Sequence, residues 1–274
     1  MSGKVVIITG ASSGIGRALA IEYAKRGASL SLAARRIDKL NELQTILESS
    51  EVLVTQTDVT NESACKELID STIRRFGRID VLINNAGLSM RALFDDIGLD
   101  SFKQVMDVNF YGTVYCTKYA LPYLICTKGS LVGIISVAGH VGLPARSAYS
   151  ASKFAVRGLL DTIRLENLYT GLHVLVAAPG FTTSEIRKSA LTANGKPQGE
   201  TPRKEENMMS AGECAHLVVN AIEKRKRSLV LTFTEGKFSV FLGKFLPVLL
   251  DRLTFSHMAK EHDSPLGKKA VNRT

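Results

Sequence analysis

Residues 4–16 read KVVIITGASSGIG: an apolar run that breaks into Thr9-Gly10-Ala11-Ser12-Ser13-Gly14-Ile15-Gly16. The run reads as a buried strand. Apolar residues at helical spacing over 15–26, closed by Gly27, read as the helix that follows. A glycine-rich turn between them lets backbone N–H groups approach a pyrophosphate at the positive end of the helix dipole. The spacing is G-x3-G-x-G, not G-x-G-x-x-G, and taken alone it also fits an ordinary strand-to-helix turn. Its place after a first strand and before a helix points to phosphate binding by Gly10, Ser12, Ser13, Gly14, Ile15 and Gly16.

Working outward, short apolar runs recur at 28–34, 52–57, 81–84, 129–136, 172–178 and 228–233. Helical patterns separate them at 38–48, 62–76, 99–125, 148–169 and 211–224, the third bent or ended near Pro122. Strand–helix alternation of this kind predicts an α/β, doubly wound Rossmann fold. It has a parallel seven-stranded sheet with helices on both faces. Near-continuous apolar strands are those buried on both sides. One domain is expected over 1–274, with 192–207 its least regular loop and a helical extension at the C-terminal end. In such a sheet a ligand sits beyond the carboxyl ends of the strands, where the strand order reverses.

The second strand ends Leu32-Ala33-Ala34-Arg35-Arg36, with no acid where one would hold a ribose 2′-hydroxyl. An arginine can bind a 2′-phosphate through two parallel hydrogen bonds. The cofactor is therefore expected to be NADP(H), with Arg35 as the phosphate ligand and Arg36 a solvated charge at a helix start.

The chain of 274 residues carries a formal charge of +9. Such a balance suits a phosphorylated cofactor, a nucleic acid or an acidic membrane, without choosing among them. The run Lys224-Arg225-Lys226-Arg227 more simply ends a helix, where cations are favoured, and no basic–aromatic recognition motif accompanies it. Nucleic acid is not expected as a partner. More basic residues, Lys268 and Lys269, follow near the end. Cys65, Cys116, Cys126 and Cys214 form neither a CxxC pair nor a cluster with histidine. Free thiols in a reducing compartment are expected, with neither metal nor disulfide framework. Met1 leads straight into the first strand without a signal-peptide layout, and no window reaches the roughly 20 apolar residues of a spanning helix. The expected location is cytoplasmic.

Tyr149 and Lys153 stand four apart on a helix and share one face. A phenol ionises near pH ~10, and a neighbouring ammonium favours its phenolate. Tyr149 can then exchange a proton with a carbonyl oxygen while Ser136 hydrogen-bonds the same oxygen. Singly, each residue is as well explained as a helix face or a turn cap. Their order and strand context, after a phosphate loop, carry the chemical reading.

With these motifs in this order the chain resembles the short-chain dehydrogenase/reductase family, over about the first 185 residues. Asp58-Val59 looks like the family's adenine-contacting pair, and Asn84-Asn85-Ala86-Gly87 matches its N-N-A-G segment. Tyr149-Ser150-Ala151-Ser152-Lys153 gives Y-x-x-x-K, Pro179-Gly180 follows the sixth strand, and Asn109 matches a fourth catalytic position. The resemblance implies that Lys153 holds the cofactor ribose and that Asn109 anchors a water passing protons from Lys153 to solvent. It also implies a homodimer or homotetramer through the two long helices. Two departures stand at Thr182, where the family has an aliphatic residue, and Ser184, where it has threonine. Ser184 keeps a hydroxyl for the carboxamide or phosphates, and Thr182 can act through its backbone N–H. His140 is read as a surface or lining residue.

Residues 181–207 should form a lid on the substrate side. Residues 235–260 are apolar at helical spacing, carry Phe238, Phe241, Phe245 and Phe255, and should bend or split at Pro247. Packing over the body as a roof, a dimer contact, and shallow docking on an anionic membrane are all compatible with this extension. It resembles reductases of the 11β-hydroxysteroid dehydrogenase type 1 and dehydrogenase/reductase member 7B kind, which implies a lipid- or steroid-like carbonyl substrate. The expected activity is NADP(H)-dependent interconversion of a ketone or aldehyde with an alcohol. The competing reading is a catalytically idle NADP-binding sensor or scaffold. The complete set Asn109, Ser136, Tyr149 and Lys153 argues against it, because a binding-only protein needs no proton donor.

Overall fold

A computed structural model describes residues 3–201 and 208–267. Five strands alternate with helices through the first half: β1 (Val5–Thr9), α1 (Gly14–Lys25), β2 (Ser29–Ala34), α2 (Ile37–Ile46), β3 (Val52–Gln56), α3 (Glu62–Phe76), β4 (Val81–Asn84), α4 (Leu99–Met106), α5 (Gly112–Cys126) and β5 (Ser130–Ile134). Then come α6 (Ser147–Glu166), β6 (His173–Ala178), α7 (Ala211–Glu223), β7 (Ser228–Val230), α8 (Ser239–Phe245) and α9 (Pro247–Ala259). The seven strands pair in parallel in the order β3-β2-β1-β4-β5-β6-β7. The order reverses between β1 and β4, which opens the ligand crevice there.

Strand residues alternate between the two faces. Val6 and Ile8 of β1 pack with Leu19 and Tyr23 of α1, Leu40 of α2 and Val218 of α7. Ile7 packs on the other face with Leu68 of α3, Cys116 of α5 and Leu160 of α6. At the amino end of β4 the buried carboxylate of Asp80 ties down the sheet. It accepts hydrogen bonds from Lys4 Nζ at 3.0 Å, Val5 N at 3.0 Å and Arg78 Nε at 2.8 Å. Burial works against its charge, yet these donors outweigh burial and hold its pKa below the usual aspartate value.

The elements depart from expectation at three points. The helical region over 99–125 is continuous, passing through a π-helical turn at Asp107–Tyr111 and, in α5, through Pro122 without ending there. The carbonyl that Pro122 leaves without an N–H is that of Lys118, an exposed residue, so the lost bond falls on the solvent side of the helix. β5 stops at Ile134, and Ser136 instead caps a short 3-10 turn, Val137–Gly139. β7 stops at Val230, short of 233, because Thr232 turns the chain with φ +62°.

Pro247 splits the extension by opening α9 at its first turn. One side of α8 and α9 covers the body: Leu242 and Leu250 pack with Val137 and Val141, and Met258 and Leu266 with Leu93 and Ala145. The other side leaves Phe238, Phe241, Phe245, Leu246, Val248, Leu249, Leu253 and Phe255 exposed. Cys65, Cys116 and Cys214 are buried and Cys126 exposed, all as free thiols. Among the described residues no helix is long and apolar enough to cross a membrane, and no cluster of His, Cys, Asp and Glu could hold a metal. Residues 202–207 of the expected lid, and Lys268 and Lys269, lie outside the described residues.

Candidate active site

A cleft of about 430 Å³ runs along the carboxyl ends of the strands. Its wall includes Gly10, Ser12, Ser13, Gly14, Ile15, Arg35, Asp58, Val59, Asn85, Ala86, Gly87, Ser136, Tyr149, Lys153, Pro179, Gly180, Thr182 and Ser184. Of the residues singled out in the sequence, Gly16 and Asn109 lie behind this wall rather than in it.

The glycine loop is locked to the segment after β4. Asn85 Nδ2 donates to Thr9 O at 2.9 Å, and Thr9 Oγ1 accepts from the backbone N–H groups of Asn85 at 3.0 Å and Ala86 at 3.1 Å. Gly10 takes φ +68°, and a Cβ there would lie 2.8 Å from Ala86 Cα. A Cβ on Gly16 would lie 2.3 Å from Gly10 O and 2.5 Å from Asn85 Nδ2. The backbone is thus left bare where a pyrophosphate would meet the first turn of α1.

Arg36 stands at the start of α2 as an exposed charge, and it also reaches the glycine loop. Although half exposed, it folds over the loop, with Nη2 donating to Ser12 Oγ at 3.1 Å and Ser13 Oγ at 2.8 Å. Its Nη1 lies 3.4 Å from Glu185 Oε2. Two arginines therefore flank the end of β2, Arg35 in the cleft wall and Arg36 across the loop. The doubled arginine beside a serine-rich loop was the available signal.

Ser136, Tyr149 and Lys153 meet at the other end of the cleft. Ser136 Oγ accepts from Ala138 N at 3.2 Å and stands in hydrogen-bonding reach of the Tyr149 phenol. Lys153 is buried, its Nζ donating to Ile134 O at 2.9 Å and lying 5.7 Å from the centroid of the Tyr149 ring. Burial pushes the Lys153 pKa down to about 8. The Tyr149 phenol is pushed up by burial, opposed by the Ser136 hydrogen bond and the charges of Arg146 and Arg187. Both arginine charges thus act on the phenol in the sense that favours its phenolate, the sense in which Lys153 was expected to act.

Asn109 sits on the π-helical turn with its side chain fully engaged. Nδ2 donates to Leu88 O at 2.9 Å and Ser152 Oγ at 2.8 Å, and Oδ1 accepts from Leu88 N at 2.7 Å. It clamps the segment after β4 to the helix that carries Tyr149 and Lys153. Thr182 is buried with its hydroxyl turned back to Gly180 O at 3.3 Å, and Ser184 stands beside Gly14.

His140 receives Arg157 Nη1 at 2.9 Å on its Nδ1, the acceptor geometry of a neutral ring. Burial first, then the Arg157 charge, pushes its pKa down to about 4, against a small opposing pull from Asp161. Below pH ~6.5 an unfolded chain takes a proton that folded His140 refuses until about pH 4. Stability should therefore fall with pH across that window. His140→Gln, which keeps an acceptor for Arg157 without titrating, should flatten the acid limb of a urea-unfolding series. An unchanged limb would remove His140 as its cause.

A sequence profile of the family described as short chain dehydrogenase matches residues 4–195. The 11-beta-hydroxysteroid dehydrogenase 1A of Arabidopsis thaliana is 39% identical over 238 residues, covering 82% of this chain and 67% of that protein. An alcohol dehydrogenase from the archaeon Thermococcus sibiricus, complexed with 5-hydroxy-NADP, superposes with a TM-score of 0.71 at 28% identity, over 82% of this chain and 93% of its own. A short chain dehydrogenase/reductase from Burkholderia phymatum, in complex with NAD, gives a TM-score of 0.75 at 26% identity, over 83% and 88%. A glycine loop interlocked with Asn85, a serine–tyrosine–lysine convergence on one cleft, and these matches across most of the chain lead to one assignment: the protein belongs to the short-chain dehydrogenase/reductase family.

Proposed function

We propose that the protein is an NADP(H)-dependent oxidoreductase that interconverts a carbonyl and an alcohol. The observation that carries this reading is one cleft with a bare glycine cradle at one end and Ser136, Tyr149 and Lys153 at the other. The nicotinamide would supply or accept the hydride. Ser136 and Tyr149 would hold the substrate oxygen between their hydroxyls, and Tyr149 would give it a proton during reduction or take one during oxidation. Lys153, fixed by Ile134 O, would hold the ribose hydroxyls and return the proton to Tyr149. Because the Asn109 side chain is occupied, a relaying water would rest on its backbone carbonyl. That oxygen also accepts from Thr113 Oγ1 at 2.8 Å. A buried ammonium is costly to maintain, which weighs against an idle scaffold.

The choice of NADP(H) rests on Arg35 and Arg36 and on the absence of an acid at the end of β2. Asp58 and Val59 would border the adenine, and Pro179, Gly180, Thr182 and Ser184 the nicotinamide. kcat/KM with NADPH should exceed that with NADH by about tenfold or more, and Arg35→Glu should reverse the preference. A wild-type preference for NADH would overturn the assignment.

The substrate reading is an apolar ketone or aldehyde, supported by the Leu143, Phe181 and Met258 walls of the cleft and by the steroid named for the plant relative. We place the enzyme in the cytoplasm as a homo-oligomer, its contacts made by exposed apolar residues such as Tyr123 of α5 and Phe154 and Leu165 of α6. The outer side of α8 and α9 would rest on an anionic membrane. Lys237, Lys244, Arg252 and Lys260 accompany its phenylalanines, and a basic, aromatic face suits such a lipid surface. The protein should co-sediment with phosphatidylserine vesicles at low salt and less with phosphatidylcholine vesicles. Equal recovery in the supernatant of both would remove the membrane from its partners.

A further inference from the structure

The chain leaves β7 through a residue that is unfavourable in two ways. Leu231 N donates to Ala178 O at 3.0 Å, so the pairing with β6 reaches Leu231. The next residue, Thr232, takes φ +62° and ψ 153°. That region is open to glycine and strained for any side chain, most of all a β-branched one. The Thr232 hydroxyl is also buried without a hydrogen-bond partner. Glycine at this position would relieve both defects. The reason for a threonine therefore lies in what its side chain touches.

It touches, from behind, the end of the cleft proposed for the nicotinamide. A Cβ built on Gly180 would lie 2.3 Å from Thr232 Oγ1, 3.0 Å from its Cγ2 and 3.2 Å from its Cβ. These are the three nearest atoms, so the obstruction at Gly180 is this one side chain. On its other side, a Cβ on Gly236 would lie 2.9 Å from the same hydroxyl oxygen. Thr232 thus fills a slot between two glycines. Gly180 belongs to the cleft wall together with Pro179, Thr182 and Ser184, whereas Thr232 stands one layer behind it. The left-handed backbone is what turns the side chain toward the underside of that wall.

We propose that Thr232 is a positioning residue for hydride transfer: it wedges beneath Gly180 and sets the height of the Pro179–Gly180 ledge against which the nicotinamide lies. This rests on the oxidoreductase reading above and deepens it. The rest of the cofactor is gripped away from the wedge, by the glycine loop and the arginines after β2. The wedge therefore governs where the ring stands and not how tightly the dinucleotide binds. Transfer between two carbons is steep in distance, and a displacement of about 1 Å can lose about 100-fold in rate. Glycine in place of Thr232 relaxes the turn and lets the ledge sink into the vacated slot.

The test compares the full-length wild type with Thr232→Gly, Gly180→Ala and the double variant, using NADPH and the best substrate from a panel of apolar ketones and aldehydes. In Thr232→Gly, kcat should fall by about tenfold or more. Its dissociation constant for NADPH should stay within about twofold of the wild-type value. Its melting temperature should be no lower, because relief of the turn offsets the lost contacts. The isotope effect with deuterated NADPH should rise as hydride transfer becomes limiting. Gly180→Ala alone should lose turnover and melting temperature. Adding Thr232→Gly should restore the melting temperature and part of the turnover, since the new methyl enters the space the threonine leaves. Wild-type kcat in Thr232→Gly would overturn the wedge. So would a joint fall of kcat, NADPH affinity and melting temperature, which marks a merely structural residue, and so would additive losses in the double variant. A wild type that reduces no carbonyl compound counts against the reductase reading itself. In that case the fluorescence of bound NADPH decides the wedge separately: its emission should shift in Thr232→Gly at unchanged affinity. Unshifted emission overturns it.

Discussion

Tyr149→Phe should lower turnover by about 10³-fold while NADPH still binds. The variant removes one hydroxyl and leaves the ring that packs beneath Lys153 Nζ. What is lost is the cleft-wall hydroxyl that we propose, with Ser136, to move a proton at the substrate oxygen. Burial raises the phenol's pKa, so Tyr149 stays protonated across the neutral range and is ready to donate in the reductive direction. The reverse reaction needs the phenolate and should accelerate with rising pH. Single-turnover absorbance of NADPH, paired with a fluorescence titration of its binding, separates the two effects. Near-normal turnover by the Tyr149→Phe protein would sink the assigned mechanism.

Gly16→Val should abolish measurable cofactor binding, a loss of about 100-fold or more in affinity. The contact at fault is backbone: a Cβ would sit 2.3 Å from Gly10 O, and no side chain rotation relieves that. Either the loop opens or α1 shifts along its axis, and both displace the N–H groups that would meet the pyrophosphate. The Asn85 amide, which holds Thr9 O, is in the same collision and would be pushed out of its hydrogen bonds. Gly16→Ala tests the claim with the smallest possible side chain. Circular dichroism separates a misfolded chain from a folded one with a spoiled cradle. A folded Gly16→Ala protein with unchanged NADPH affinity would show that the loop does not carry the cofactor.

The strands, their parallel arrangement and the glycine-rich turn were legible because each rests on local pattern: apolar runs, helical spacing, and glycines at a strand end. Ser136, Tyr149 and Lys153 were legible through order, since each follows a strand or rides one helix that the pattern already places. Features made by contact between distant segments were not. The reach of Arg36 onto Ser12 and Ser13 depends on how the end of β2 approaches the loop. The engagement of Asn109 with Leu88 and Ser152 depends on a π-helical turn that no residue type announces. Pro122 suggested a break that the exposed side of α5 absorbs without one. The meeting of Arg146 with Glu261 joins the start of α6 to the end of the extension, and neither residue has a periodic pattern to mark it.

The roof laid across the cleft by Met258 and Glu261 has an evolutionary consequence. The residues proposed for cofactor handling and proton transfer lie almost wholly before β7, whereas part of the cleft wall arrives after it. Such a division lets selection rewrite what the enzyme recognises by editing one late segment, without disturbing the hydride chemistry already in place. Grafting residues 233–267 onto a relative's body would move a portion of substrate choice with them, as a tool head is changed on a fixed handle.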